Sequence, residues 1–154
     1  MQIFRVHENH QVSAQFLDNR RLSKQVLEMY QIIRVCLGAM DIIETNTRYL
    51  SHPIVKSIYN EGYPYILDAH ALLKELDEEH QRRGGKRSIE FRKDLSALSE
   101  IVEAHKSKFN PEQIPPFFVY GDEKLYGEAV YGRYEQLLFD KWRLDKISPR
   151  CNIK

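Results

Sequence analysis

Asn19-Arg20-Arg21-Leu22-Ser23-Lys24-Gln25-Val26-Leu27-Glu28-Met29-Tyr30-Gln31-Ile32-Ile33-Arg34-Val35-Cys36-Leu37-Gly38-Ala39 is the stretch that decides the fold class. Leu22, Val26, Met29, Ile33 and Leu37 recur at steps of three and four, which an α-helix gathers on one face. Asp18 and Asn19 are cap-type residues at its start, and Gly38 marks a stop near its end.

Working outward, the same period returns. Residues 13–18 read as a short helix, and residues 2–7 as either a short strand or an extended arm that packs on helices. Asn46, Thr47 and Ser51 punctuate a loop, and Pro53 opens a short helix through Tyr59. Gly62 and Pro64 introduce a long helix to about Arg83, with Ile66, Ala69, Leu72, Leu73 and Leu76 inward and Gly84-Gly85 ending it. Ser88 caps a further helix to about Ser107, with Phe91, Leu95, Leu98, Ile101 and Val102 on its buried side. A proline-containing connector follows over residues 110–116, and a last, tyrosine-rich helix is predicted over about residues 122–142. The expectation is a mostly α chain: a single compact helical domain over residues 1–154, with a short N-terminal extended arm and a flexible tail over 145–154.

The bulk numbers agree with one domain. The chain has 154 residues, 42% hydrophobic and 29% charged, which suits a globular protein and argues against low-complexity disorder. Net charge is only +1, so any basic surface must come from uneven distribution rather than from excess. Cys36 and Cys151 show no disulfide or zinc spacing and read as free thiols of a reducing compartment. No signal-peptide pattern and no apolar run of membrane-spanning length is visible, so the expectation is a cytoplasmic protein, of a cell or an infected host, and no membrane partner.

Chemistry concentrates in four places. Arg21, Lys24, Gln25 and Glu28 share a helical face beside the apolar one. Cations there suit a phosphate, and the carboxylate suits proton transfer; a solvated face with a Lys24–Glu28 pair reads equally from the spacing. Arg48 and His52 lie near the mouth of the Pro53 helix, where an anion is favoured, or else belong to a polar turn. Arg82, Arg83, Lys86 and Arg87 surround Gly84-Gly85, suiting either a DNA backbone or the negative end of a helix. Tyr126 and Tyr131, with Arg133, stand in an aromatic C-terminal region that suits base stacking or simple core packing. Walker-type loops, dinucleotide fingerprints, zinc-hydrolase helices and nucleophile elbows are absent, and His7 and His10 lack two further ligands, so no metal is expected.

Leu17-Asp18, Arg21-Leu22, Lys24-Gln25, Glu28, His52-Pro53, Gln81-Arg82-Arg83-Gly84, Gly121-Asp122 and Tyr126-Gly127-Glu128-Ala129-Val130-Tyr131 together resemble the pyrimidine-dimer DNA glycosylase (phage endonuclease V-like) family, and in particular an uncharacterised phage and bacterial branch attached to it. The resemblance implies the compact helical fold of that family and damaged or modified double-stranded DNA as partner. It also implies an N-terminal α-amine as nucleophile that attacks the sugar C1′, releases the base through a Schiff base and cleaves the strand by β-elimination. No cofactor is implied. An α-amine titrates near pH 7.7–8.0, so an appreciable fraction is neutral and nucleophilic at neutral pH.

Two positions depart from that pattern. The bulky Gln2 disfavours removal of Met1, which puts the amine on Met1, one residue further out. The place of the family's carboxylate is held by Arg20-Arg21, leaving Glu28, about two helical turns on, as acid/base. Met1 or Lys24 is then the amine. Arg20, Arg21, Gln25, Arg48, His52, Arg82, Arg83, Arg87, Tyr126, Tyr131 and Arg133 are the candidate DNA contacts, on a chain expected to act as a monomer. The alternative is a non-catalytic module that kept the fold and binds DNA, a nucleotide or a protein.

Overall fold

The computed structural model describes residues 1–146. Cys151 and most of the predicted tail lie outside the described residues. Six α-helices and one hairpin follow an extended arm: α1 (His10–Phe16), α2 (Asn19–Ala39), α3 (Pro53–Tyr59), α4 (Ile66–Arg82), α5 (Ile89–Ala104), β1 (Phe117–Tyr120), β2 (Glu123–Tyr126) and α6 (Ala129–Leu144). The mostly α fold expected from the sequence is the one observed.

Helix α2 is the central element. Leu22, Val26, Met29, Ile33 and Leu37 are all fully buried, and so are Ile32 and Cys36. The buried face is therefore wider than the stripe read from the sequence, because α2 packs on α4 and also on α3 and the 3-10 turn Arg48–Ser51. Asp18 caps α2 by accepting the Arg21 N–H at 3.2 Å, and it also receives the Trp142 indole N–H at 2.8 Å. One buried carboxylate thus fixes both the start of α2 and the docking of α6.

The sequence boundaries of α3 and the Ser88 cap hold in the structure. Two expectations change. Gly38 does not stop α2; the helix runs through it to Ala39. A Cβ there would sit 2.5 Å from the Thr45 methyl, so this glycine serves close approach of the following loop. The predicted helix over residues 122–142 is instead a hairpin followed by a later helix. Phe117↔Tyr126 and Tyr120↔Glu123 pair in register, and Gly121-Asp122 makes the two-residue turn. Gly121 has φ +60°, the left-handed geometry such turns require.

Residues 2–7 form no strand and run as the extended arm. Ile3 enters the main core, while Phe4 and Val6 pack on a second small cluster of Phe118, Val130, Tyr134 and Leu137. The arm therefore lies between α2 and the hairpin–α6 unit.

Candidate functional site

Where the arm crosses the first turns of α2, a pocket of about 220 Å³ opens, lined by Met1, Gln2, Phe4, Arg20, Arg21, Lys24, Gln25, Glu28 and Lys141. Helical spacing puts Arg21, Lys24, Gln25 and Glu28 along one edge of α2, and Arg20 joins them from the flank. Lys141 comes from the last turn of α6, more than a hundred residues away, and no local pattern in the sequence announces it.

Each side chain has a definite state. Gln25 is buried; its Oε1 accepts the Phe4 N–H at 3.0 Å and its Nε2 donates to the Gln2 carbonyl at 2.8 Å. Gln25 therefore holds the arm and is turned away from a DNA ligand. Glu28 accepts the Gln2 N–H at 3.4 Å and lies 3.7 Å from Lys24 Nζ. The Glu28 side chain is 15% exposed and that of Lys24 is 74% exposed, so the carboxylate is the fixed partner and the ammonium the mobile one. Arg21 is gripped by Asp145 at 2.8 and 3.0 Å and by Asp18 at 3.2 Å. The bond from Asp145 is the main reason its pKa rises, and the same bond holds the Asp145 carboxyl below its ordinary range. Arg20, 74% exposed and 3.8 Å from Asp145, keeps its guanidinium in solvent.

His52 stands close enough to feel both ends of this site. Burial lowers its pKa, the positive N-terminal amine lowers it further, and Glu28 opposes. Its Nδ1 accepts the Ile54 N–H at 3.1 Å, capping α3. That bond needs an unprotonated Nδ1, so capping and a cationic phosphate grip exclude each other at this residue.

The other candidate contacts lie elsewhere. Arg48 is exposed over the Tyr49 ring. Tyr126 is 69% exposed on β2, Tyr131 lies under Arg5, and Arg133 pairs with Glu123 at 2.8 Å. None of these lines the pocket.

The Gly84-Gly85 turn differs from its reading as an open basic loop. Arg83 is buried: it donates to Leu17 O at 2.6 Å, to Gln15 O at 3.0 Å and to Glu79 at 2.7 Å. It satisfies carbonyls at the end of α1, which would otherwise be orphaned, and so is not available to a phosphate. Arg82 bonds Glu79 at 2.9 Å, and Arg87 donates to Ser23 O at 2.6 Å. Burial raises the Glu79 pKa, yet the bonds from Arg82 and Arg83 outweigh it and the net shift is downward.

Among the described residues, no three His, Cys, Asp or Glu side chains gather as a metal site would need. No helix is long and apolar enough to cross a membrane.

A family model described as pyrimidine dimer DNA glycosylase matches residues 1–93. Neither the curated proteins nor the solved structures give a match. The matched segment is more than half of the chain and carries the arm, α2, α3 and α4; the chain belongs to the pyrimidine dimer DNA glycosylase family.

Proposed function

We propose that this member of the family is a DNA glycosylase with associated abasic-site lyase activity, working through an amine in the pocket between the arm and α2. Family membership implies a glycosylase on DNA. One observation carries the finer reading: a single pocket of about 220 Å³ holds Met1, Lys24 and Glu28, two amines and a carboxylate, with Arg20 beside them in solvent.

The chemistry balances with those groups. The neutral amine attacks C1′, and the C1′–N bond to the base breaks, the base leaving with the electron pair and taking up a proton. Glu28 accepts a proton from the new C1′–N bond. The nitrogen lone pair then forms C=N as the ring oxygen leaves and is protonated, which gives the Schiff base. Loss of a C2′ proton, again to a carboxylate in reach, expels the 3′ phosphate by β-elimination. Water finally hydrolyses the imine and regenerates the amine. Arg20, Lys24 and Lys141 supply positive charge for the flanking phosphates. Such an enzyme works wherever its DNA is, in the cytoplasm of a bacterium or an infected host.

Borohydride reduction on an abasic-site duplex tests this directly. The expected result is a covalent adduct that maps to an amine lining the pocket. Folded protein that gives no adduct at any concentration sinks the Schiff-base reading and leaves a binding module.

A further inference from the structure

The start of the arm is held by side chains instead of by strand pairing. Gln25 grips it from below with both ends of its amide, at Phe4 N and at Gln2 O. The Gln2 side chain is anchored at the other end: its Nε2 donates to Val119 O at 2.6 Å and its Oε1 accepts from the Tyr134 hydroxyl at 2.8 Å. Tyr134 is fully buried against Phe4 and Phe118, with ring centroids 5.7 and 4.7 Å away. Burial pushes its phenol well above the ordinary value, so the O–H remains a donor. Four hydrogen bonds therefore fix residue 2, and its own N–H is directed at Glu28.

We propose that Gln2, Gln25 and Tyr134 are positioning residues that present the α-amine of Met1 to Glu28, and that this amine, not Lys24, bonds to the sugar. The proposal rests on the amine chemistry argued above. Its physical basis is preorganisation: a group one residue beyond a four-bond anchor has little freedom left to lose. The Lys24 chain, 74% exposed and 3.7 Å from its one carboxylate partner, has its full rotamer freedom to lose. A bulky second residue, which disfavours methionine removal, acquires a reason: the side chain of Gln2 is the anchor. Tyr134 and Val119 lie beyond the family-matched residues 1–93, so the C-terminal part of the chain helps to aim the nucleophile.

The test is borohydride trapping on an abasic-site duplex with peptide mapping, using the wild-type protein, Tyr134→Phe and Gln25→Leu. The expected adduct is on Met1. At saturating DNA both variants are expected to trap roughly 10- to 100-fold more slowly per folded molecule, with the half-saturating DNA concentration within about twofold. Gln25→Glu, which keeps the acceptor for Phe4 N–H but loses the donor to Gln2, is expected to fall between wild type and Gln25→Leu. A role in folding alone would lower the folded fraction, read by thermal melting, and leave the rate per folded molecule unchanged; that result overturns the positioning role. An adduct on Lys24, or on the α-amine of Gln2 after loss of Met1, overturns the assignment and leaves the amine chemistry standing. No adduct in the wild type removes both.

Discussion

Two clusters of arginine and lysine look alike in the sequence and differ in the fold. One is Arg20, Arg21 and Lys24 at the start of α2; the other is Arg82, Arg83, Lys86 and Arg87 around Gly84-Gly85. At the first, Arg20 and Lys24 remain in solvent beside a fixed carboxylate and a pocket. At the second, Arg83 is buried against carbonyls of another helix and shares Glu79 with Arg82. Counting charges does not separate a ligand surface from a structural joint. What separates them is whether protein acceptors already satisfy each guanidinium.

The comparison breaks first at Glu28. Glu28→Gln is expected to slow base release and abasic-site cleavage by about 10²- to 10⁴-fold, measured in single turnover, while binding to an abasic duplex persists. A variant with unchanged single-turnover rate would strip the α2 cluster of its chemistry and make the two clusters equivalent.

Arg83→Ala sharpens the other side. Breaking a buried pair leaves Glu79 with an uncompensated share of charge and orphans the α1 carbonyls, so a loss of about 3–5 kcal/mol is expected in denaturant unfolding. The folded fraction should bind DNA with its salt dependence unaltered. A DNA-binding defect with normal stability would turn Arg83 back into a phosphate contact.

Arg20→Ala and Lys24→Ala are expected to weaken DNA binding more at low than at high salt. Each lost phosphate contact lowers the slope of log K against log salt by about 0.9. Arg82→Ala and Arg87→Ala are expected to leave that slope unchanged, and equal slopes across all four variants would erase the distinction between the clusters.

The smallest effect is on stability with pH. His52, His70 and His80 all have pKa values lowered from 6.5, in each case first by burial. At His80, Arg87, Arg92 and Arg83 add to the lowering while Asp77 opposes it. The unfolded chain binds protons to these rings more readily than the folded one, so stability rises with pH in this window. It is fully present above pH 6.5 and declines as pH falls toward the folded values. Thermal melts between pH 7 and pH 5 should show the decline, and His80→Asn should make it shallower. An unchanged slope in His80→Asn would mean that the ring near the Gly84-Gly85 turn is charged in both states.

Much of the fold was legible because helices declare themselves locally. The α2 stripe, the Pro53 start and the Ser88 cap each depend on neighbours within a turn of chain. The hairpin was legible in principle too, since Phe117-Phe118-Val119-Tyr120 followed by Gly121-Asp122 is a run of strand formers and a turn signal. It was obscured by the tyrosine-rich period that continues into α6. Of the candidate site, the edge of α2 carrying Lys24 and Glu28 could be drawn from spacing alone. Lys141 could not, nor could the grip of Asp145 on Arg21, which spans 124 residues.

By itself, the sequence determined that the chain is one helical domain with a cationic and acidic face on its central helix, because side chains three and four apart must meet on a helix wherever it packs. Only the tertiary structure decided which cations stay in solvent, that Gln2 is tied to Tyr134, and that the arm brings Met1 to Glu28. Those contacts join residues far apart along the chain, and a side chain's long-range partner is fixed by how the helices pack around it, not by the residues beside it.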